Sequence, residues 1–295
     1  VKEAVERYLV AVSPRYAETT LLIHRKQLWK LLAFCETSGL ERAADISPHE
    51  LMAFEAWLRG TSPLSSGSVS LAMASARLFL LWAYEHGETL HDFEAFELPR
   101  ACSPPTPVPS VTAMRKLLLL PDTGTALGQR DQVVLELLYV LGLRRTECVK
   151  LNLDDIDLGQ AVLEVRGKGG HERSLPLSSG LLGTLRRYLE HGRPALYAGG
   201  SALVVGKNGC SRLCGHGLAN VLRGYGRRIG LELHPHQLRF ACATHLLEAG
   251  MEVRLIAALL GHRDLKSTGR YTRVSRHELQ REFRRCHPRA LAELP

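Results

Sequence analysis

The sequence predicts a mainly α-helical protein with one small β-sheet, divided into two domains. Three observations carry that expectation. Apolar residues recur at helical spacing through the first hundred positions. Five prolines crowd residues 99–110, which cannot be helical and favour an extended linker. Past them, helical patterns resume around a single glycine-centred hairpin. A chain of 295 residues is too long for one small module and suits two domains.

Residues 1–98 read as a helical bundle. Leu21, Leu22, His24, Arg25, Leu28, Leu31, Leu32 and Phe34 form one long amphipathic pattern. Ser47-Pro48-His49-Glu50 reads as a helix start: Ser caps, Pro suits the first turn, and Glu completes a capping box. Leu51, Phe54 and Leu58 continue that helix. A third helix is expected from Val69 to Glu85, with Leu71, Leu78, Leu81 and Trp82 as its apolar stripe. No catalytic cluster is visible in this part.

Residues 111–295 are mixed. Residues 131–141 form an apolar helix that stops at Gly142. Residues 161–165 read as a strand, Gly167-Lys168-Gly169-Gly170 as a tight turn, and residues 171–177 as the returning strand. Val204-Val205 is apolar but of ambiguous type. His234-Pro235 opens a helix that ends near Gly250, and Glu252 to Leu260 forms the next, stopped by Gly261.

Charge separates the two parts. Residues 1–100 carry a net −3 and residues 101–295 a net +11, within a total of +8. The signal for a polyanionic partner therefore belongs to the second part. Arg25, Lys26 and Lys30 still permit one basic face in the first. Seven scattered cysteines, an odd number, argue against a disulfide framework and fit a reducing cytoplasm. No apolar stretch of bilayer-spanning length and no signal peptide is expected, so neither a secreted nor a membrane protein is.

Polar groups gather at the ends of the apolar elements. They are Arg144 and Glu147 after the buried helix, Lys168 in the hairpin turn, His236 and Arg239 opening a helix, His262 closing another, and Tyr271 beyond. The i, i+3 spacing puts His236 and Arg239 on one helix face. Alone, each has an ordinary structural reading: a helix-end charge, a turn lysine, a hydrogen-bonded histidine, a half-buried aromatic.

Together they resemble the tyrosine recombinase (phage integrase-like) family. Its pattern is met in order by Gly142-Leu143-Arg144 with Glu147, by Lys168, by His236-Gln237-Leu238-Arg239 with Ala243-Thr244-His245, by Leu260-Gly261-His262, and by Tyr271-Thr272. The tail Cys286-His287-Pro288-Arg289-Ala290 is similar to that of the Xer-type branch. Where the family commonly has His-Thr after the second Arg, Phe240-Ala241 stands here, which touches packing rather than the six reactive groups.

The resemblance implies a helical core-binding (SAM-like) domain over 1–98, a linker over 99–110, and an α+β catalytic domain over 111–295. It implies strand exchange on duplex DNA, by a tetramer, without a cofactor or metal. Two guanidinium groups suit the non-bridging oxygens of a phosphodiester, which assigns Arg144 and Arg239 as a clamp. A phenol with a pKa of about 10 attacks only as it loses its proton, so His236 is the expected acceptor for the nucleophile Tyr271. Lys168 would protonate the leaving oxygen, and His262 would bind the phosphate or the attacking oxygen. Glu147 has the wrong charge for phosphate and is expected to hold an Arg or cap a helix. His245 reads as packing, and Arg145 as pointing outward.

Other readings are weaker. Cys210, Cys214 and His216 lack a fourth metal ligand. Arg281, Arg284 and Arg285 read as a solvated face, with Leu279, Phe283 and Leu291 expected to contact a neighbouring subunit. A type IB topoisomerase shares the chemistry, but the two-domain layout and the tail favour a recombinase. A catalytically silent DNA-binding accessory protein would not need all six groups.

Overall fold

The computed structural model describes residues 1–61, 63–99, 107–167, 172–197, 199–207, 211–261 and 276–291. The chain divides into two compact units, Val1–Thr106 and Pro107–Pro295. Of the segment expected as a linker, residues 100–106 lie outside the described residues.

The small unit is helical: α1 (Lys2–Val12), α2 (Glu18–Ser38), α3 (Pro48–Thr61) and α4 (Ser66–Glu85). At the start of α3 the Glu50 carboxylate accepts from the Ser47 backbone N–H at 3.1 Å and from its hydroxyl, which closes the capping box. Ser65 caps α4 by accepting from the N–H of Ser68. Leu28, Leu31, Leu51, Phe54, Leu58, Met73 and Phe79 fill the core.

The stripe expected for α4 is corrected. Leu71 and Leu78 are exposed, while Val69, Ala72, Met73, Ala76, Phe79, Leu80 and Ala83 are buried. Leu81 and Trp82 of the expected stripe pack partly buried against the core, and alanines on the inward face let α2 and α1 approach closely, so only Leu71 and Leu78 lie out of phase. The same helix corrects a second expectation: by length and composition alone it is apolar enough to cross a bilayer. Its inward face is occupied by the core of the small unit.

The large unit begins with α5 (Val111–Leu118), α6 (Ala126–Tyr139) and α7 (Arg145–Lys150). A three-stranded antiparallel sheet follows: β1 (Ile156–Asp157), β2 (Val162–Arg166) and β3 (Glu172–Pro176), in that spatial order. β1 was not expected from the sequence, being only two residues long. Val165 stands opposite Arg173 and Leu163 opposite Leu175. Then come α8 (Ser179–Arg187), a π turn, α9 (Arg193–Leu196), α10 (Gly215–Arg228), α11 (Pro235–Glu248) and α12 (Val253–Leu260). α13 (Arg276–Cys286) and α14 (Pro288–Leu291) close the chain. Val204-Val205 makes no regular strand; Val205 forms an isolated bridge with Arg212.

α6 is the central element. Val133, Val134, Leu135, Leu137, Leu138 and Tyr139 are all buried. It starts at Ala126, capped by Thr125, ahead of the apolar run that marks it in the sequence. The polar extension is accommodated because buried Arg130 pairs with Asp131 at 2.6 Å.

The tail corrects a further expectation. Leu279 and Phe283 pack into the core of their own unit, while Leu291 is exposed. Arg289 donates to Glu136 of α6 at 3.0 Å, and Thr184 of α8 donates to the same carboxylate. Burial pushes the Glu136 carboxyl pKa up, and the Arg289 charge opposes that. Arg281, Arg284 and Arg285 are exposed, as the helical spacing suggested.

Candidate active site

Two turns set the frame. α6 is followed by Gly142, in the left-handed region at φ 58°, where a Cβ would stand 2.4 Å from a Leu260 methyl. Glycine is required there by conformation and by contact. α12 ends on Gly261, left-handed at φ 68°. These turns bring the Gly142–Glu147 segment against the end of α12.

Arg144 is the N-cap residue of α7. Glu147, three residues on, accepts from the Arg144 backbone N–H at 2.9 Å and from its Nη1 at 2.8 Å. Glu147 therefore both caps the helix and holds the Arg. Arg239 lies one turn into α11, where Pro235 and the His234–Gln237 cap fix the start. Its Nη1 donates to the Gly142 carbonyl at 2.6 Å and its Nη2 to the Leu260 carbonyl at 2.7 Å. Arg144 donates through Nη2 to the next carbonyl, that of Gly261, at 3.1 Å.

A third Arg, absent from the sequence-based set, completes the arrangement. Arg173 of β3 donates Nη1 and Nη2 to the two Glu147 oxygens at 3.1 and 2.9 Å. Its Nε donates to the Leu259 carbonyl at 3.0 Å. Three successive carbonyls at the end of α12 thus each receive a guanidinium: Leu259 from Arg173, Leu260 from Arg239, Gly261 from Arg144. A helix C-terminus suits this, because its last carbonyls lack intrahelical donors and carry partial negative charge.

The electrostatics favour an anion. Burial of Glu147 raises its pKa, but the Arg173 fork and the Arg144 N–H outweigh that and hold it at about 2. Burial, then the neighbouring Arg144 charge, lowers Arg239 to about 10, still protonated at neutral pH. Three guanidinium groups around one carboxylate leave the cluster with surplus positive charge. Arg173 is only 14% exposed and directs Nε, Nη1 and Nη2 to protein acceptors, whereas the Arg144 side chain is 36% exposed. Arg144 and Arg239 each bond through both Nη atoms and show no bond from Nε among the described residues.

The other expected residues are placed as follows. His236 is exposed in the first turn of α11, one turn before Arg239. Lys168, His262 and Tyr271 lie outside the described residues; His262 follows Gly261 directly in sequence. His245 is buried, with Nδ1 2.9 Å from the Tyr139 hydroxyl, a packing role. Arg145 is exposed. Cys210 is outside the described residues, and no His, Cys, Asp and Glu cluster fit for a metal occurs among the described ones.

The chain is similar in sequence and fold to known proteins. The sequence pattern of the phage integrase family matches residues 112–278. Tyrosine recombinase XerD of Listeria innocua is 33% identical over 292 residues, covering 96% of this chain and 97% of its own. Tyrosine recombinase XerC of Oceanobacillus iheyensis is 33% identical over 278 residues, covering 92% and 90%. A lambda integrase tetramer bound to a Holliday junction shares the fold, with a TM-score of 0.69 at 18% identity, covering 92% of this chain and 80% of that one.

Proposed function

Since the chain belongs to the phage integrase family and is a tyrosine-type site-specific recombinase, we propose that it cuts and rejoins duplex DNA through a transient 3′-phosphotyrosyl ester. The observation that carries this reading is the convergence of Arg144 and Arg239 on adjacent carbonyls at the end of α12. Their remaining N–H groups bracket the non-bridging oxygens of the scissile phosphate, where charge grows in the transition state.

Tyr271 is the nucleophile. Its oxygen bonds to phosphorus as the bond to the 5′-oxygen breaks. The phenolic proton passes to His236, and Lys168 gives a proton to the departing 5′-oxygen. His262 hydrogen-bonds the phosphate. The 5′-hydroxyl of another strand then attacks the ester, restores a phosphodiester and frees Tyr271. One ester replaces another at each step, so no ATP is consumed.

The partner is double-stranded DNA carrying a specific site. The net +11 of residues 101–295 supplies phosphate contacts, so affinity falls steeply with salt. The assembly on DNA is a tetramer, as in the lambda integrase complex that shares the fold. The enzyme acts in the cytoplasm, as its odd, scattered cysteines suit.

The test is trapping. The protein is incubated with labelled DNA from its source replicon, without magnesium, beside the Tyr271→Phe protein. A protease-sensitive, protein-linked DNA band with the unaltered protein alone is the expected result, and sequencing the trapped DNA identifies the site. A band that persists with Tyr271→Phe overturns the choice of nucleophile. Binding with no band in either lane overturns the recombinase chemistry for the isolated protein.

A further inference from the structure

The geometry points to Arg173 as the positioning residue of the phosphate clamp, an inference that rests on the clamp roles proposed above for Arg144 and Arg239. β3 alternates its side chains across the sheet. Glu172 and Ser174 face outward: Glu172 meets Arg166, and Ser174 donates to Glu164. Arg173 shares the inward face with buried Leu175, opposite buried Val165. A guanidinium at such a position is costly unless its donors are satisfied. Here three nitrogens are satisfied, two by Glu147 and one by Leu259.

Arg173 does not bind the substrate phosphate. It holds the Glu147 carboxylate in a two-pronged grip, and that carboxylate holds Arg144 by backbone and side chain. Arg144 and Glu147 already form an ion pair at 2.8 Å, and Arg173 shares that carboxylate. Without Arg173, the full charge of the buried Glu147 falls on Arg144 alone and competes with the phosphate for its guanidinium. Arg173 thus neutralises Glu147 so that the charge of Arg144 remains available to the substrate. Its place on β3 also ties the hairpin to the end of α12. A Cβ at Gly261 would meet Arg173 Nη1 at 3.1 Å, so the turn before His262 is shaped around this side chain.

This role differs from a merely structural one in a measurable way. A methylphosphonate at the scissile position has no negative charge, so cleavage there depends less on a correctly placed clamp. Unaltered protein, Arg173→Gln, Arg173→Lys and Arg144→Ala are compared on the site recovered by trapping, with a phosphate or a methylphosphonate. On phosphate, Arg173→Gln is expected to slow single-turnover cleavage about 10- to 100-fold, the range seen when a group that orients a metal ligand is removed. DNA affinity is expected to stay within about twofold, a difference at the scale of independent sites. Arg173→Lys, which keeps the charge but loses the fork, should fall between. On methylphosphonate the deficits of Arg173→Gln and Arg144→Ala should shrink together.

Cleavage by Arg173→Gln at the unaltered rate overturns the inference. So does an equal deficit on both substrates, which marks a general loss of structure. If Arg173→Gln does not fold, Arg173→Lys decides by the same ratio between the two substrates. Failure of the unaltered protein to form a Tyr271-dependent adduct on either substrate strikes instead at the recombinase chemistry itself.

Discussion

In the small unit, Leu28, Leu31, Phe54 and Phe79 are buried, and among the described residues its buried polar side chains are Gln27, Ser75 and Thr89, none of them charged. In the large unit the buried set includes Arg130, Asp131, Glu136, Glu147, Arg193, Arg239, His245, His287 and Arg289. The small unit is stabilised by transfer of apolar surface out of water, which is insensitive to pH. The large unit adds desolvated charges, each tolerated only through a specific partner. Arg239 and Glu147 belong to the cluster proposed as the phosphate clamp, whereas Glu136 and Arg289 fasten the tail. Buried ions are weak contributors to stability, so their value lies in what they position.

The largest expected break in this contrast is Glu136→Ala. It strands Arg289 in the core, with an expected loss of about 3 to 5 kcal/mol from the large unit. Glu136→Met combined with Arg289→Leu should recover most of that, because both charges leave together. All three tryptophans, Trp29, Trp57 and Trp82, lie in the small unit. Urea unfolding followed by tryptophan emission should therefore stay unchanged, while the far-ultraviolet circular dichroism transition moves. A shift in both signals would show that the two units do not respond separately.

Acid sharpens the contrast at a smaller scale. Burial lowers His287 from 6.5 to about 3, so below about 6.5 the unfolded chain binds a proton that the folded chain does not. Its contribution is complete above that pH and falls by about 1.4 kcal/mol per unit as pH drops. Glu147, held at about 2 against an ordinary 4.5, adds a second loss only below about 4.5. The large unit should weaken from pH 6.5 downward, in both stages. The small unit, where His24 is the histidine with a lowered pKa, should move less in the first stage; below about 4.5 its own Glu50, held at about 2 chiefly by the Ser47 hydroxyl, adds a loss as well. Equal losses in both signals between about pH 6.5 and 4.5 would contradict the account.

The smallest effect tests the corrected helix phase. Leu78→Ser, on the exposed side of α4, should change stability by no more than about 0.5 kcal/mol. A loss of several kcal/mol by tryptophan emission would restore the stripe read from the sequence.

The sequence was most legible where chemistry and spacing coincide. Arg144 and Arg239 stand out because each sits at a motif that ends or opens a helix, and Glu147 because its charge suits an Arg or a cap; the structure gives it both tasks. Leu71 and Leu78 mislead because their size suggests burial, whereas the inward face of α4 carries Met73, Phe79 and Leu80 beside small alanines. Arg173 went unread although a signal was present. In Arg173-Ser174-Leu175-Pro176-Leu177 it shares the phase of Leu175 and Leu177, so a charge occupies an inward strand position. Its partner, Glu147, lies 26 residues away, and only folding brings the two together.

The end of α12 has a consequence for which changes the chain can accept. The acceptors offered to the three arginines are main-chain oxygens, and no point substitution deletes a carbonyl. Residues 259 and 260 can therefore vary within the apolar class without altering what the guanidinium groups find. A single inserted or deleted residue in α12 is another matter, because it turns the helix end by about 100° and shifts it by about 1.5 Å. All three carbonyls would then miss their partners together. The site is tolerant of substitution there and intolerant of a change in helix length.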